Sequence, residues 1–402
     1  MNSKTANSEG GAAASWALAA AQLVSWGSIY YSFSLLVVPM EQTMGWPRTT
    51  TNAALSLGLL VSGLAAFPIG TWIDRGHGRT VMLAGSLLGA AMLLLWSQAH
   101  ALWVLFVVWI GLGCALAAVL YDPVFAIVTR AYPNTYRSKI TLITLVGGFA
   151  STVFIPLTQA LIDLWGWRGC LVVLAGVNLA FCVPVHARAI GPAVARSADD
   201  RQTQESVARS ATARALRTPI FWSLAVCFTA YYATLATLTF HLVPLLLERQ
   251  VAMGWVLTIM ATIGPAQVAA RGLWFALGRR ARPAVIGLAV TGAVPVAIVI
   301  LLCAGTSAAA LLLFAALFGG ANGMMTILRG TIVQEVMWTE GYGSISGLLS
   351  APSNIAKGIA PISAAALWAV QQDYAPVEWT MLAISLVCFA AFALAMRCAV
   401  RD

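Results

Sequence analysis

Three basic side chains, Arg271, Arg329 and Lys357, lie inside apolar stretches long enough to cross a bilayer, well away from any loop. A cation at the centre of a spanning helix costs about 2.5–3.5 kcal/mol on insertion scales and is kept where it faces a polar cavity or a partner. Three together point to a water-filled path that attracts negative charge. Asp122 is the one acidic residue placed well inside a span. Two roles are open to it, a proton carrier or a fixed counter-ion to Arg329 or Arg271. With either role positive charge is left in excess, and a small organic anion, mono- or dicarboxylate-like, would neutralise it.

Helical spacing sorts the neighbouring polar residues into stripes. Asn322, Thr326 and Arg329 fall at i, i+4 and i+7, and Ser350, Ser353, Asn354 and Lys357 at i, i+3, i+4 and i+7. Gln267 shares a face with Arg271, and Thr234 and Thr237 share one with His241. In the first half the corresponding residues are Gln22, Trp26 and Tyr30, then Tyr121 beside Asp122. The candidate substrate-binding set is therefore Arg271, Lys357, Arg329, Asn354, Gln267, Tyr30, Trp26, Tyr121 and Tyr231, with the aromatic members flanking the apolar part of the anion. Asp122 and His241 are the candidates for coupling or charge balance. Plainer roles stay open: Arg329 bracing its helix near Glu335, Lys357 snorkelling, Arg271 belonging to a latch at the membrane face, and His241 as a hydrogen-bonded helix residue. The hydroxyl stripes can also be helix contacts.

The elements that carry these residues follow from composition. Of 402 residues 60% are hydrophobic and 9% charged, against about 25% charged in a soluble domain. Helices of roughly 20 apolar residues cross a core about 30 Å thick, and inside the bilayer the backbone must satisfy its own hydrogen bonds. Twelve such runs are predicted, at 15–39, 50–73, 80–98, 102–131, 140–163, 169–189, 219–247, 251–277, 283–303, 307–334, 345–370 and 378–398. The first is too long for a cleavable signal peptide and is read as a retained span. The fold class is all-α and polytopic.

Basic residues orient the chain. With a cytoplasmic N-terminus, the inside segments hold seventeen of the 23 Lys and Arg, and the outside segments only Arg48, Arg168 and Arg249. The remaining three are the buried cations. Both termini are thus expected in the cytoplasm, and the net charge of +9 is mainly a topology signal and not one for nucleic acid. The seven cysteines show no paired spacing, so neither a metal site nor a disulfide framework is expected, and no cofactor is called for.

The polar segment 191–218 divides the chain into an N-terminal six-helix bundle, 1–190, and a C-terminal one, 219–402. A shift of 205 residues lays Pro156 on Pro361 and sets Thr129–Pro156 against Gln334–Pro361, with Gly111 and Gly113 nearly opposite Gly319 and Gly320. Internal symmetry of this kind marks carriers whose substrate binds near the midplane.

The loop after the second span reads Gly70-Thr-Trp-Ile-Asp74-Arg75-Gly76-His77-Gly78-Arg79. Gly70 permits close helix approach, Gly76 and Gly78 a tight turn, and Asp74 can pair with basic residues on a neighbouring helix. The loop resembles the G-x-x-x-D-R-x-G-R signature of the major facilitator superfamily, which implies a conformational latch made of Gly70, Asp74, Arg75, Gly78 and Arg79. The second-half counterpart, Gly278-Arg279-Arg280, keeps the glycine and the basic residues without the aspartate. The resemblance also implies two pseudo-symmetric six-helix bundles, with the first, fourth, seventh and tenth helices lining the cavity.

Trp26-Gly27-x-x-Tyr30-Tyr31 and Gly45-Trp46-Pro47-Arg48 are similar to bacterial relatives of the monocarboxylate transporters and the oxalate/formate antiporter. In that group an eighth-helix arginine and, in the oxalate carrier, an eleventh-helix lysine bind carboxylate, so the resemblance implies Arg271 and Lys357 as ligands. Gln267 stands where monocarboxylate transporters typically place an aspartate, and the acidic first-span signature is missing. The fifth span, Gly147 to Pro156, lacks the glycine-proline-glycine pattern of drug antiporters. The expectation is a secondary carrier of a small organic anion in the plasma membrane, the inner membrane of a bacterium. Protons or a counter-transported anion would be the coupled species. Other readings are an efflux carrier for an antibiotic, toxin or vitamin-like heterocycle, or a polytopic membrane enzyme or receptor; no catalytic motif supports an enzyme.

Overall fold

The computed structural model describes residues 3–190, 198–277 and 283–399, and these are helical with no strand among them. Nine segments of the described residues are long and apolar enough to cross a membrane. Two of them, Thr50–Ser97 and Tyr136–Ala189, run 48 and 54 residues, about 70–80 Å of helix against a core of about 30 Å. Each is therefore two spans, joined where a glycine adopts left-handed backbone, Gly76 at φ 92° and Gly166 at φ 68°. A Cβ makes that conformation costly. The less apolar helix Tyr342–Gln371, which carries Lys357 and several serines, is the eleventh span in chain order and brings the total to twelve. The counterpart turn Gly278-Arg279-Arg280 lies outside the described residues, as do residues 191–197 of the expected linker.

Several spans are broken where function was expected. The first passes from the α-helix Ser3–Ser25 through a π-helical stretch, Trp26–Tyr31, to Phe33–Met44. Ser32 N donates to Gly27 O at 3.1 Å across the wide turn. The sixth span has a second such stretch, Asn178–Cys182, whose Asn178 Nδ2 donates to Ser28 Oγ at 2.5 Å. The fourth breaks at Leu120, where ψ is −157°, into Leu102–Val119 and Tyr121–Ala131. Pro123 therefore sits in the first turn of the new helix, where its missing N–H leaves no carbonyl unpaired. The tenth span, Ala308–Val336, runs without a break.

The chain forms two compact units, Met1–Thr212 with Thr339–Ala351, and Ala213–Trp338 with Pro352–Asp402. The start of the eleventh-span helix thus belongs to the first unit and its remainder to the second. In the first unit a Cβ on Gly70 would overlap the Gly343 carbonyl, and one on Gly347 the Ala66 carbonyl. Small residues four apart on both helices permit this backbone approach. Residues 198–216 form a helix whose Ala208 and Ala211 are buried beside Gly341 in the first unit, while Arg214 stacks 3.8 Å over the Trp338 ring in the second. The second unit's apolar core gathers Leu238, Leu242 and Leu245 of the seventh span with Phe314 and Phe318 of the tenth.

Candidate functional site

Two of the three cations of the apolar segments, both part-buried, converge on one aromatic ring in the second unit. Lys357 Nζ lies 4.0 Å from the Tyr232 ring centroid and Arg329 Cζ 5.2 Å from it. Arg329 Nη1 also donates to the Tyr232 hydroxyl at 3.3 Å. One turn before Lys357 on the same helix, Asn354 Oδ1 accepts from Nζ at 3.0 Å. Each cation–π contact is worth about 0.5–2 kcal/mol, more where water is excluded. The expected aromatic, Tyr231, points elsewhere: it is 1% exposed and donates to Asn322 Oδ1 at 2.8 Å. Adjacent residues on an α-helix are turned by about 100°, so only one of this tyrosine pair can face the cations. The residue that does so, Tyr232, has Thr229 at i−3 and Thr239 at i+7 on its face, a sparser pattern than the Thr234, Thr237 and His241 stripe.

Arg271 has different partners. It is 4% exposed, and its Nε donates to the Gly323 carbonyl at 3.0 Å while Nη2 reaches Thr326 Oγ1 at 3.4 Å. Gly323 lets the eighth and tenth helices touch, because a Cβ there would overlap the Gln267 backbone. Gln267 contributes that backbone surface and is half-buried. Arg271 and Gln267 therefore sit at a helix contact, with the guanidinium on a carbonyl's second lone pair.

His241 is engaged at both ring nitrogens. Nε2 lies 2.9 Å from the Pro361 carbonyl and Nδ1 3.0 Å from the Tyr374 hydroxyl. A carbonyl can only accept, so Nε2 carries the hydrogen and, in the neutral ring, Tyr374 donates to Nδ1. Burial, with Glu248 adding to it, pushes the Tyr374 phenol up, which keeps that hydroxyl protonated as a donor. Nearby, Glu248 accepts from Tyr374 N at 2.9 Å and Trp368 Nε1 at 2.8 Å, and Arg249 makes a two-point ion pair with Glu378 at 2.6 Å.

The first unit holds the remaining aromatic candidates and the acid. Trp26 contacts Tyr30, Tyr31 and Tyr121 with centroids 5.4, 6.1 and 5.2 Å away, and Tyr121 stacks on Phe125 at 5.4 Å. The break at Leu120 puts Asp122 in the first turn of Tyr121–Ala131, where the positive end of the helix favours a carboxylate. Ser350 Oγ donates to Asp122 Oδ2 at 2.9 Å. The acid lines a small pocket, with room for about one water, together with Ala66, Ile69, Gly70, Ala117 and Gly343.

The turn motif takes a form the sequence did not foretell. Asp74 Oδ1 accepts from Gly343 N at 3.0 Å, and Oδ2 from Ser344 N and Ser344 Oγ, both at 2.7 Å. The carboxylate thus caps the start of Tyr342–Gln371, whose unsatisfied N–H groups and dipole suit an anion. The basic neighbour, Arg130, binds the main chain of the turn, donating from Nη1 to Ile73 O at 3.1 Å and Asp74 O at 2.6 Å. Gly78 is buried against Ile127, Arg75 is half-buried and Arg79 exposed.

Comparison with known proteins places this architecture. The family model described as Major Facilitator Superfamily matches residues 18–361. The crystal structure of the human organic anion transporter MFSD10 (TETRAN) superposes with a TM-score of 0.71 at 17% identity, covering 94% of this chain and 98% of that one. The major facilitator transporter FucP in the outward conformation gives 0.67 at 15%, with the same coverages of 94% and 98%. A variant of FucP, the E. coli fucose:proton symporter, gives 0.67 at 15% as well. No curated protein sequence matches the chain. These neighbours share the fold, and the matched family is one of membrane transporters and not of enzymes: the chain belongs to the major facilitator superfamily.

Proposed function

We propose that the chain is a secondary carrier of a small organic anion, mono- or dicarboxylate-like, working by alternating access. The observation that carries this reading is the meeting of Lys357 and Arg329 on the Tyr232 ring, at 4.0 and 5.2 Å from its centroid. A carboxylate arriving at the edge of that ring gains charge-assisted hydrogen bonds from both. Asn354 aims the lysine. Arg271, expected as the lysine's partner by resemblance to the monocarboxylate and oxalate/formate carriers, acts in this reading as the brace of the eighth–tenth contact, and Arg329 takes its place as ligand. Asp122 balances charge in the first unit, and the Asp74 cap with Gly70 is the latch that steadies one conformation. Protons or a counter-transported anion supply the driving gradient. The placement of basic residues supports cytoplasmic termini and, for a bacterial chain, the inner membrane.

Uptake of radiolabelled lactate, oxalate, malate and benzoate into proteoliposomes, with and without a pH gradient, tests the reading. Lys357→Ala and Arg329→Ala should each abolish uptake at normal protein content; unchanged uptake and affinity in both would sink it. The aromatic cluster of the first unit favours a second reading, export of a vitamin-like heterocycle, an antibiotic or a toxin, which resistance profiling of a deletion strain separates.

A further inference from the structure

The first span carries two buried polar atoms, one turn apart, that take no hydrogen bond among the described residues: Gln22 Oε1 and Trp26 Nε1. Gln22 is 0% exposed and its Nε2 donates to the Val119 carbonyl at 2.5 Å. That bond fixes which way the amide faces, since only the NH₂ end can pair with a carbonyl. The other end is therefore an acceptor. The indole nitrogen of Trp26 can only donate. An acceptor and a donor thus stand at i and i+4 on one helix face. Val119 ends the helix before the Leu120 break, and Tyr121, two residues on, puts its ring 5.2 Å from Trp26. Tyr30 meets the same indole edge-on at 5.4 Å. Trp26, Tyr30 and Tyr121 are part-buried, whereas Gln22 and the indole nitrogen are covered, so a ligand enters by displacing side chains above them. The first-span main chain leaves α-geometry at this point, in the π-helical stretch Trp26–Tyr31, a feature frequent at functional sites.

We propose that Gln22 and Trp26, with the rings of Tyr30 and Tyr121, form a subsite for an uncharged planar group that presents an N–H and a C=O on one edge. A lactam within an aromatic ring and a primary carboxamide both have that edge. The ligand's N–H donates to Gln22 Oε1, its carbonyl accepts from Trp26 Nε1, and its faces lie on the tyrosine rings. The subsite lies wholly within the first unit and stands without the anion reading. A lone bridging water would satisfy the same two atoms, and the test separates the two.

The full chain, purified in detergent, is titrated calorimetrically with 2-pyridone and with N-methyl-2-pyridone, which keeps the ring and carbonyl but lacks the N–H. The wild type should bind 2-pyridone at least tenfold more tightly than its methylated analogue. Trp26→Phe, which keeps a ring and removes only the donor, should lose at least tenfold, and Gln22→Met as much. Arg329→Ala and Lys357→Ala should bind the uncharged probe as the wild type does, so a failure of the anion reading shows in those variants' transport alone. Absence of 2-pyridone binding, equal affinity for the two pyridones, or unchanged binding in Trp26→Phe at unchanged melting temperature overturns the proposal. So does a loss confined to the Arg329 and Lys357 variants. If Gln22→Met does not fold, Trp26→Phe decides.

Discussion

The two units bury different kinds of polarity. Among spanning helices of the first, the buried polar contacts are mostly neutral: Asn178 on Ser28 at 2.5 Å, Ser25 beside Cys182 at 3.6 Å, Ser86 with His186 at 2.6 Å. Gln22 Oε1, Trp26 Nε1, Asn178 Oδ1 and His186 Nε2 in that unit find no partner among the described residues. The second unit carries more cations among its spanning helices, Arg271 buried and the others part-buried. Arg271 has a carbonyl, Lys357 an amide oxygen and a ring, Arg329 a hydroxyl and the same ring, and Arg249 a carboxylate. The contrast has an energetic reason. An unsatisfied neutral group costs about 1–3 kcal/mol, which a packed bundle can carry, whereas an uncompensated buried charge costs far more. A neutral group can therefore stay open for a ligand at less cost than a charged one.

The comparison breaks most sharply at the glycine contacts. Gly70→Leu drives a side chain into the Gly343 backbone and should destabilise the first unit by about 3 kcal/mol, read as early thermal unfolding or loss of a monodisperse peak. Next is Arg271→Lys, which cannot hold both the Gly323 carbonyl and Thr326. It should cost about 2 kcal/mol of stability while anion affinity stays within about threefold; a large affinity loss at unchanged melting temperature would return Arg271 to the ligand set. Tyr232→Leu removes the shared ring and hydroxyl, and should weaken anion binding about tenfold with little change in melting temperature. Unaltered affinity there would detach Tyr232 from the cation pair. The smallest effect belongs to Asp74→Asn, which keeps an acceptor but loses the charge on a helix N-terminus and should cost about 1 kcal/mol. Unchanged thermal unfolding in Asp74→Asn would make the capping geometry the wrong explanation.

Much of the architecture was legible because the bilayer leaves the chain few choices. The twelve apolar runs and the turn at Gly76 are one-dimensional patterns. The turn's partner was not, because Asp74 binds main-chain N–H groups of Gly343 and Ser344, and every residue carries a backbone amide. The cation site was half legible. Arg329 and Lys357 announce themselves by cost, but which tyrosine meets them depends on the rotation of the seventh helix. The cysteines give the same lesson: Cys227 and Cys388 show no spacing pattern, yet their sulfurs lie 3.6 Å apart in the second unit.

By itself the sequence determined that this is a twelve-span helical carrier with three expensive cations and one acid in its apolar segments. Hydrophobic length and charge cost are properties of each residue in its own segment, and they survive without knowledge of neighbours. The tertiary structure decided the pairings: Lys357 and Arg329 on Tyr232, Arg271 on a backbone carbonyl, Asp74 on a helix end, and Gln22 turned so that its acceptor is left open. Those depend on helix rotation and on where Leu120 and the π-helical stretches break the register, which packing of the whole unit fixes and local pattern does not.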